Sequence, residues 1–279
     1  VIRTRLGPFE CEFTRAPGDA TRLAKEAAEN GRTLIVACGG DGTISEVANG
    51  ILEANRPSVL GVLPGGTGGD FRRTLGIPAQ LGAAARRLRD SEPRWMDAGK
   101  LHFLDHAGIE SKRYFVNTAS FGMSGAVAAR ANRSEKMLGG MLTYALATFR
   151  SMVSYEFPEI LLQWDDQPAR RFRIATVCVA NGPSFGGGMK IAPDAKINDG
   201  LFDVIMIGDM KLSKMLFSSH KLYSGTFHAL KDVAVVRAKR IVANAIDEKD
   251  PILLEVDGET PGRLPAVMEI MPQALQVRC

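Results

Sequence analysis

Two glycine-rich stretches, each preceded by an apolar run, are the part of this sequence best suited to chemistry. The first follows the run 33–38 and reads Gly39-Gly40-Asp41-Gly42-Thr43. The second follows the run 59–63 and reads Pro64-Gly65-Gly66-Thr67-Gly68-Gly69-Asp70-Phe71. Glycines permit tight turns and the close approach of a phosphate, and the free N–H groups at a helix start favour an anion. The two stretches therefore predict a phosphate-binding site, although one such turn alone would be an ordinary strand-to-helix connection.

The segment after the first stretch predicts a helix over 43–55. Its apolar residues recur at the spacing of one helix face, at Ile44, Val47, Ala48, Ile51 and Leu52. Thr43 and Glu46 stand three residues apart, so they can form a capping box that starts the helix at Thr43. Asp41 is unexpected in a pure anion site. It makes sense if a divalent cation accompanies the phosphates, or if it orients the loop.

The elements that would position these stretches change in kind along the chain. Strands alternate with helices up to residue 93, which predicts a doubly wound, mostly parallel sheet. Both glycine-rich stretches then leave the carboxyl ends of strands, where ligands of such sheets bind. Strands and turns dominate from Arg94 onward, which predicts a mostly antiparallel β-sandwich. The predicted fold is an N-terminal doubly wound α/β domain over 1–93, followed by a β-rich, mostly antiparallel sandwich domain over 94–279.

The individual elements follow from periodicity and turn residues. Predicted helices span 19–30, 43–55, 78–88, 138–152 and 213–222. Predicted strands span 9–14, 33–38, 59–63, 94–101, 114–119, 160–164, 172–180, 201–207 and 252–256. The apolar stripe of 138–152 fits packing on the sheet, and a membrane-facing role is the alternative.

The amino-acid composition limits the classes of function that this protein can have. The 35 Lys and Arg against 31 Asp and Glu give a net charge of +4, which is compatible with nucleotide phosphates or anionic lipid but too small to argue for nucleic acid. The four cysteines are scattered without a C-x-x-C pair, which indicates a reducing compartment and no structural zinc. No apolar run is long enough for a membrane span. We expect a cytoplasmic protein, peripheral at the inner membrane surface.

The two glycine-rich stretches together resemble the diacylglycerol kinase catalytic domain family, which includes bacterial lipid kinases, sphingosine kinases and ceramide kinases. NAD kinases also share the first stretch, so that stretch alone does not decide between the two families. The family pattern for the second is Pro-x-Gly-Thr-x-Asn-Asp-Phe. Gly69 stands in place of the expected Asn, which removes one side-chain amide from the nucleotide site.

Three later segments extend the resemblance over nearly the whole chain from Thr14 onward. They are Phe115-Val116-Asn117-Thr118-Ala119-Ser120-Phe121-Gly122, the run 187–204 around Asn198-Asp199-Gly200, and Val256-Asp257-Gly258-Glu259. NAD kinases lack the last two. The family also begins with a strand and an Asn-Pro-x-Ser-Gly loop that are not found here, so we expect a first strand to precede Val1.

The resemblance implies ATP as co-substrate, Mg²⁺ as cofactor and a lipid acceptor. It also implies that 1–93 is the nucleotide-binding domain and that 94–279 is the lipid-substrate domain. The implied nucleotide-binding residues are Thr14, Gly39, Gly40, Asp41, Gly42, Thr43, Ile44, Ser45 and Thr67. A helix-entry Thr without a ligand is the alternative for Thr14. The implied Mg²⁺ ligands are the Asp199 side chain and the main-chain oxygens of Lys196 and Leu201, and hard oxygen donors suit this ion. A metal-free turn is the alternative there.

An acidic pair follows the predicted strand 252–256. A carboxylate within hydrogen-bond reach of a lipid hydroxyl can take its proton as the P–O bond forms. By the resemblance, Glu259 is the base and Asp257 is its partner or supports a metal. The alternative is a hairpin tip with two solvated carboxylates.

We therefore expect an ATP-dependent lipid kinase of the diacylglycerol kinase type. An NAD kinase-like enzyme for a soluble substrate and a non-catalytic nucleotide- or lipid-binding relative remain the alternatives. The lipid is not identified by any motif, and the oligomeric state stays open, with a homodimer among the alternatives.

Overall fold

A computed structural model describes most of the 279-residue chain. The described ranges are 2–54, 56–66, 69–134, 155–210, 212–247 and 251–279. The helices are α1 (Ile2–Leu6), α2 (Asp19–Glu29), α3 (Asp41–Ala54), α4 (Asp70–Thr74), α5 (Leu81–Asp90), α6 (Met123–Ser134), α7 (Leu212–Ser218) and α8 (His220–Ser224). The strands are β1 (Leu34–Gly39), β2 (Val59–Pro64), β3 (Arg94–Asp105), β4 (Glu110–Phe115), β5 (Thr118–Gly122), β6 (Glu159–Trp164), β7 (Arg170–Ala180), β8 (Phe202–Gly208), β9 (Val233–Ala238), β10 (Arg240–Ala245), β11 (Leu254–Val256) and β12 (Gly262–Arg278).

The N-terminal part is an α/β layer structure, as predicted. Strands β1 and β2 pair in parallel from Leu34↔Val59 to Gly39↔Pro64. The apolar face of α3 is buried against them, with Ile44, Ala48 and Ile51 in the same core cluster as Leu60 and Val62. Both strands therefore end at the same edge of the sheet, and each is followed directly by a glycine-rich stretch.

The C-terminal part is a mostly antiparallel sheet structure, also as predicted. Strands β12, β10, β6, β7, β5 and β11 are neighbours in that order, and all five pairs are antiparallel. Their core includes the stacked rings of Phe115 and Phe202, whose centroids lie 5.3 Å apart. Offset ring pairs of this kind add to the stabilisation from area burial.

The long strand β12 belongs to both parts of the molecule. Most of it pairs antiparallel with β3, but its last residues pair in parallel with β2, with Gln276 opposite Val59. The first sheet thus takes a strand from the end of the chain. The division into 1–93 and 94–279 stays a prediction, with β12 crossing it.

Two predicted strands differ from the structure. Residues 9–14 form no strand; this segment is irregular and exposed, and Phe13 in it projects into solvent. The predicted strand 114–119 is divided into β4 and β5, because the N–H groups of Val116 and Asn117 donate to a carboxylate instead of a neighbouring strand.

The predicted helices differ at their ends. The helix over 213–222 is two short helices, α7 and α8, separated at Ser219. The helix over 78–88 begins later, at Leu81. The amphipathic segment 138–152 lies outside the described residues. Among the described helices, none is long and apolar enough to cross a membrane.

Candidate active site

The two glycine-rich stretches contact each other through their backbones. The N–H of Gly65 donates to the carbonyl of Gly39 at 3.1 Å. A Cβ atom on Gly66 would lie 2.6 Å from the Cα of Gly40, closer than real Cβ contacts allow. The absence of side chains therefore lets the two loops form one continuous surface at the carboxyl ends of β1 and β2.

Asp41 orients the second loop, which is one of the two roles expected for it. Its carboxylate accepts hydrogen bonds from the N–H groups of Gly69 at 2.6 Å, Asp70 at 3.1 Å and Phe71 at 3.0 Å. Both oxygens are engaged, so the carboxylate links the start of α3 to the start of α4.

Glu46 does not form the predicted capping box with Thr43. Helix α3 begins at Asp41, and the Glu46 carboxylate accepts the N–H groups of Gly18 and Ala20, each at 3.0 Å, at the start of α2. That prediction is wrong because a different helix start lies within reach of this side chain. The contact fixes the entry to α2 beside the start of α3.

A cavity lies between these two helix starts. Its volume is about 350 Å³, and it is lined by residues 14–17, Ala20, Thr43 and Glu46. Thr14 and Thr43, two of the predicted nucleotide-binding residues, therefore lie around the same space. The irregular segment before α2 forms one wall of it.

The other predicted nucleotide-binding residues divide into two groups. Gly39 at the end of β1, Gly40 after it and Gly42 in the first turn of α3 are partly exposed, whereas the side chains of Ile44 and Ser45 are buried. Ile44 packs in the core and its N–H donates to the Gly40 carbonyl at 3.1 Å. Thr67 lies outside the described residues.

Asp257 is a buried support and not a solvated hairpin tip. Its carboxylate accepts the N–H groups of Val116, Asn117 and Thr118 at 3.0–3.1 Å and the Ser45 hydroxyl at 3.2 Å. Burial raises the pKa of this carboxyl, and the main-chain donors oppose that rise. With φ at 48°, Asp257 also starts the turn that leads to Glu259.

Glu259 projects from that turn toward the first glycine-rich loop. Its Oε1 lies 3.6 Å from the position that a Cβ atom on Gly42 would take. Its Oε2 lies 2.6 Å from Nη1 of Arg113, and its side chain is 38% exposed. A carboxylate from the second domain thus faces the predicted phosphate-binding surface of the first.

Glu255 is a buried acid that our sequence reasoning missed. Its Oε2 accepts the Ser120 hydroxyl at 2.5 Å and its Oε1 accepts the Gly258 N–H at 2.7 Å. Burial raises the pKa of Glu255 to about 7; the two hydrogen bonds oppose this rise, and the nearby Asp257 carboxylate adds to it. The sequence did contain a signal for this residue. Glu255 stands two residues before Asp257, and side chains two apart in a strand lie on the same face.

Asp70 was also missed as a positioning residue. Its carboxylate accepts the N–H groups of Gly187 at 2.7 Å and Gly188 at 2.6 Å, and it pairs with Arg73 at 3.0 Å. Because Gly187 and Gly188 belong to the second domain, Asp70 ties the second glycine-rich loop to that domain.

The predicted magnesium site does not have a free carboxylate in this conformation. One oxygen of Asp199 accepts the N–H of Leu201 at 3.2 Å, and the other pairs with Arg237. Neither Asp199 nor Asp41 therefore offers an unengaged oxygen, and the described residues contain no group of three acidic, His or Cys side chains placed to hold a metal. A site at Lys196, Asp199 and Leu201 stays a prediction.

Comparison with known proteins identifies the family. The family model described as Diacylglycerol kinase catalytic domain matches residues 2–101. The model described as YegS C-terminal NAD kinase beta sandwich-like domain matches residues 117–279. The chain belongs to the diacylglycerol kinase family of lipid kinases.

Individual relatives agree with this assignment. A diacylglycerol kinase from Bacillus subtilis (strain 168) is 32% identical over 254 residues, which cover 90% of this chain and 79% of the relative. A diacylglycerol kinase from Staphylococcus epidermidis (strain RP62A) is 30% identical over 265 residues, covering 95% of this chain and 79% of the relative. A crystal structure described as a candidate diacylglycerol kinase from Bacillus anthracis str. Sterne superposes with a TM-score of 0.76 at 26% identity, covering 95% of this chain and 82% of that one.

Proposed function

We propose that this protein is an ATP-dependent lipid kinase that transfers the γ-phosphoryl group to a hydroxyl of a diacylglycerol-like lipid. The observation that carries the proposal is the position of Glu259. Its carboxylate, supplied by the second domain, faces the first glycine-rich loop across a short gap at Gly42. A proton acceptor and a phosphate-binding surface are thus opposed, as phosphoryl transfer to an alcohol requires.

The nucleotide would bind along the paired loops and the start of α3. The first N–H groups of a helix have no acceptor within the helix, and its dipole favours an anion there. The Asp41 carboxylate accepts hydrogen bonds from three N–H groups of the second loop, so its negative charge is engaged by that loop. The cavity between Thr14 and Thr43 would take a further part of the nucleotide.

Glu259 would act as the general base. As the lipid oxygen bonds to the γ-phosphorus, its proton passes to the Glu259 carboxylate, and the bond to the β-phosphate oxygen breaks to release ADP. Arg113 at 2.6 Å holds the carboxylate in place. Asp257 and Glu255 hold the turn from which Glu259 projects, through Val116, Thr118 and Gly258.

The acceptor would be a lipid at a membrane surface. We propose that the protein works as a peripheral cytoplasmic protein at the inner surface, and that its role lies in phospholipid metabolism. Mg²⁺ stays a predicted cofactor.

The proposal is tested with labelled ATP, Mg²⁺ and a panel of diacylglycerol, phosphatidylglycerol, sphingosine and NAD. Label in an organic extract supports the lipid kinase. Label only in an aqueous product supports a soluble-substrate kinase of the NAD kinase type, and no product with retained ATP binding supports a non-catalytic relative.

The role of Glu259 is tested in the same assay with Glu259→Gln. We expect kcat to fall by about 10²–10⁴-fold, the usual cost of losing a general base, with nearly unchanged ATP binding. Glu269→Gln is the matched control, because Glu269 is also a half-exposed glutamate paired with an arginine, Arg240, but lies on the second-domain sheet. Near-full turnover in a folded Glu259→Gln variant would overturn the assignment.

A further inference from the structure

Two exposed aromatic side chains lie six residues apart in the sequence, on the consecutive short helices α7 and α8. Phe217 is 83% exposed and Tyr223 is 60% exposed. We call residues 212–224 the 212–224 patch. Large aromatic side chains are usually buried, and two that are exposed on consecutive surface helices suggest a binding function.

Buried side chains hold the two helices of the patch to the rest of the domain. Met215 on α7 is buried, and Leu222 on α8 packs against the same core cluster, which contains Ile191 and Phe227. One side of these helices therefore holds them to the domain. Phe217 and Tyr223 project outward from an element that is already packed.

The sequence around the patch is basic on balance. The run from Met210 to Lys231 contains four lysines and two histidines but no Asp or Glu. The acids that flank this run are paired, Asp209 with Arg173 and Asp232 with Lys214. Within the described part of the chain, Lys221 in the patch and Lys231, seven residues beyond it, form no ion pair, so both are available to an anionic partner.

The patch is connected to the candidate active site by a short piece of chain. The N–H of Lys190 donates to the Leu222 carbonyl at 2.7 Å. Three and two residues earlier, the N–H groups of Gly187 and Gly188 donate to Asp70 of the second glycine-rich loop. The run 187–190 therefore links the patch to that loop.

We propose that the 212–224 patch docks the protein on an anionic bilayer, with Phe217 and Tyr223 at the headgroup–acyl boundary and the lysines against lipid phosphates. This inference rests on the proposed lipid kinase function, which gives the docking its role. Aromatic side chains are enriched at membrane interfaces, and basic residues add attraction to anionic lipid. Exposed Phe and Tyr would also fit a protein interface, but lysine is depleted there, and the lysines therefore favour the bilayer over a protein partner.

Docking is measured by sedimentation with vesicles of phosphatidylcholine alone and with vesicles that also contain phosphatidylglycerol. The full chain should bind the second kind more tightly. The double variant Phe217→Ser with Tyr223→Ser should bind at least about tenfold more weakly, because two aromatic side chains no longer leave water. Trp95→Ser is the control, since Trp95 is 47% exposed on β3, outside the patch, and should bind like the wild type.

A charge variant provides a second test of docking in case the aromatic variant does not fold. Lys221→Gln with Lys231→Gln should weaken binding to the phosphatidylglycerol vesicles by about fivefold per lysine, with little effect on phosphatidylcholine vesicles. Equal wild-type affinity for both vesicle types, or wild-type binding to neither, would overturn the proposal.

Activity assays separate this proposal from the proposed function. With diacylglycerol in vesicles, the aromatic variant should lose phosphorylation in parallel with binding; with a dispersed short-chain diacylglycerol it should match the wild type. Unchanged vesicle binding by the variant overturns the docking site and leaves the kinase function standing. A wild type that binds vesicles through the patch but phosphorylates neither lipid supports docking and refutes the kinase function. If the variant instead converts a dimer to a monomer in analytical ultracentrifugation, with vesicle binding unchanged, the patch is a subunit interface and the proposal fails.

Discussion

The hydroxyl of Ser45 donates a hydrogen bond of 3.2 Å to the carboxylate of Asp257. Ser45 lies one turn into α3, directly after the first glycine-rich loop, and Asp257 begins the turn that carries Glu259. This buried contact therefore helps to set how far the proposed base stands from the predicted phosphate-binding surface. It is a direct side-chain link between the two halves of the site.

Replacing Ser45 with alanine should disturb the position of Glu259 more than the fold. Asp257 keeps its three main-chain donors, so we expect a loss in unfolding free energy of roughly 1.5–3 kcal/mol, as for a hydrogen bond to a charged group, together with a fall in kcat. Ser58→Ala is the control, because the Ser58 hydroxyl donates to the Arg32 carbonyl away from the site. Unchanged kcat in Ser45→Ala would show that the contact only stabilises.

Replacing Asp41 with asparagine should disconnect the second loop from α3. An amide has one acceptor oxygen, and its NH₂ group would face an N–H donor of residues 69–71. We expect a raised KM for ATP and a large loss of kcat/KM, measured by steady-state kinetics. Asp105→Asn is the matched control, because the Asp105 carboxylate accepts the N–H groups of Ala107 and Ile109 in the β3–β4 turn. Equal effects of the two substitutions on kcat/KM would count against this role.

Glu255 should make stability depend on pH. Burial raises its pKa from the ordinary 4.5 to about 7 in the folded protein, so the folded state binds the proton more tightly and the unfolded state releases it first as pH rises. The contribution of this carboxyl to the free energy of unfolding is fully present below about pH 4.5. It decreases by about 3 kcal/mol as the pH rises toward 7. Glu255→Gln removes the titration, so its unfolding free energy relative to the wild type should rise with pH over that range in denaturant titrations. A constant difference would contradict the assignment.

Replacing Gly69 with asparagine, to restore the family pattern, should not improve ATP binding. Gly69 has φ of 120°, and a Cβ there would lie 3.0 Å from Nε of Arg72. A side chain in this backbone region costs about 1–3 kcal/mol, so we expect a lower Tm and an unchanged or raised KM for ATP. Gly208→Ala, at an ordinary φ with an ordinary contact to Asp232, should lower Tm less. A lower KM in Gly69→Asn would show that the missing amide matters more than the strain.

The sequence predicted the layers and the loops well, because both depend on local patterns. The helix period of 44–52 and the apolar runs before each glycine-rich stretch were sufficient to place α3, β1 and β2. The sequence could not predict from which N–H groups the carboxylates accept hydrogen bonds. Glu46, Asp70 and Asp257 each accept N–H groups from segments distant in sequence.

The same limit explains the errors within the site. A capping box is a local rule, and Glu46 was assigned to it although a second helix start lies nearby. Glu255 carried only a weak signal, since an acid in a three-residue strand is normally solvated. The binding and metal roles of Thr14, Thr67, Lys196, Asp199 and Leu201 stay predictions.

The pairing of β12 with β2 has a consequence for how the chain is made. On the ribosome, β1, β2 and their glycine-rich loops emerge before β3 to β11, whereas Gln276 and its neighbours, which pair with β2, emerge only after those strands. Until then β2 presents an open edge, which is a site for unwanted pairing with other chains. The order of synthesis therefore leaves the N-terminal parallel strands without this neighbour until β12 has emerged.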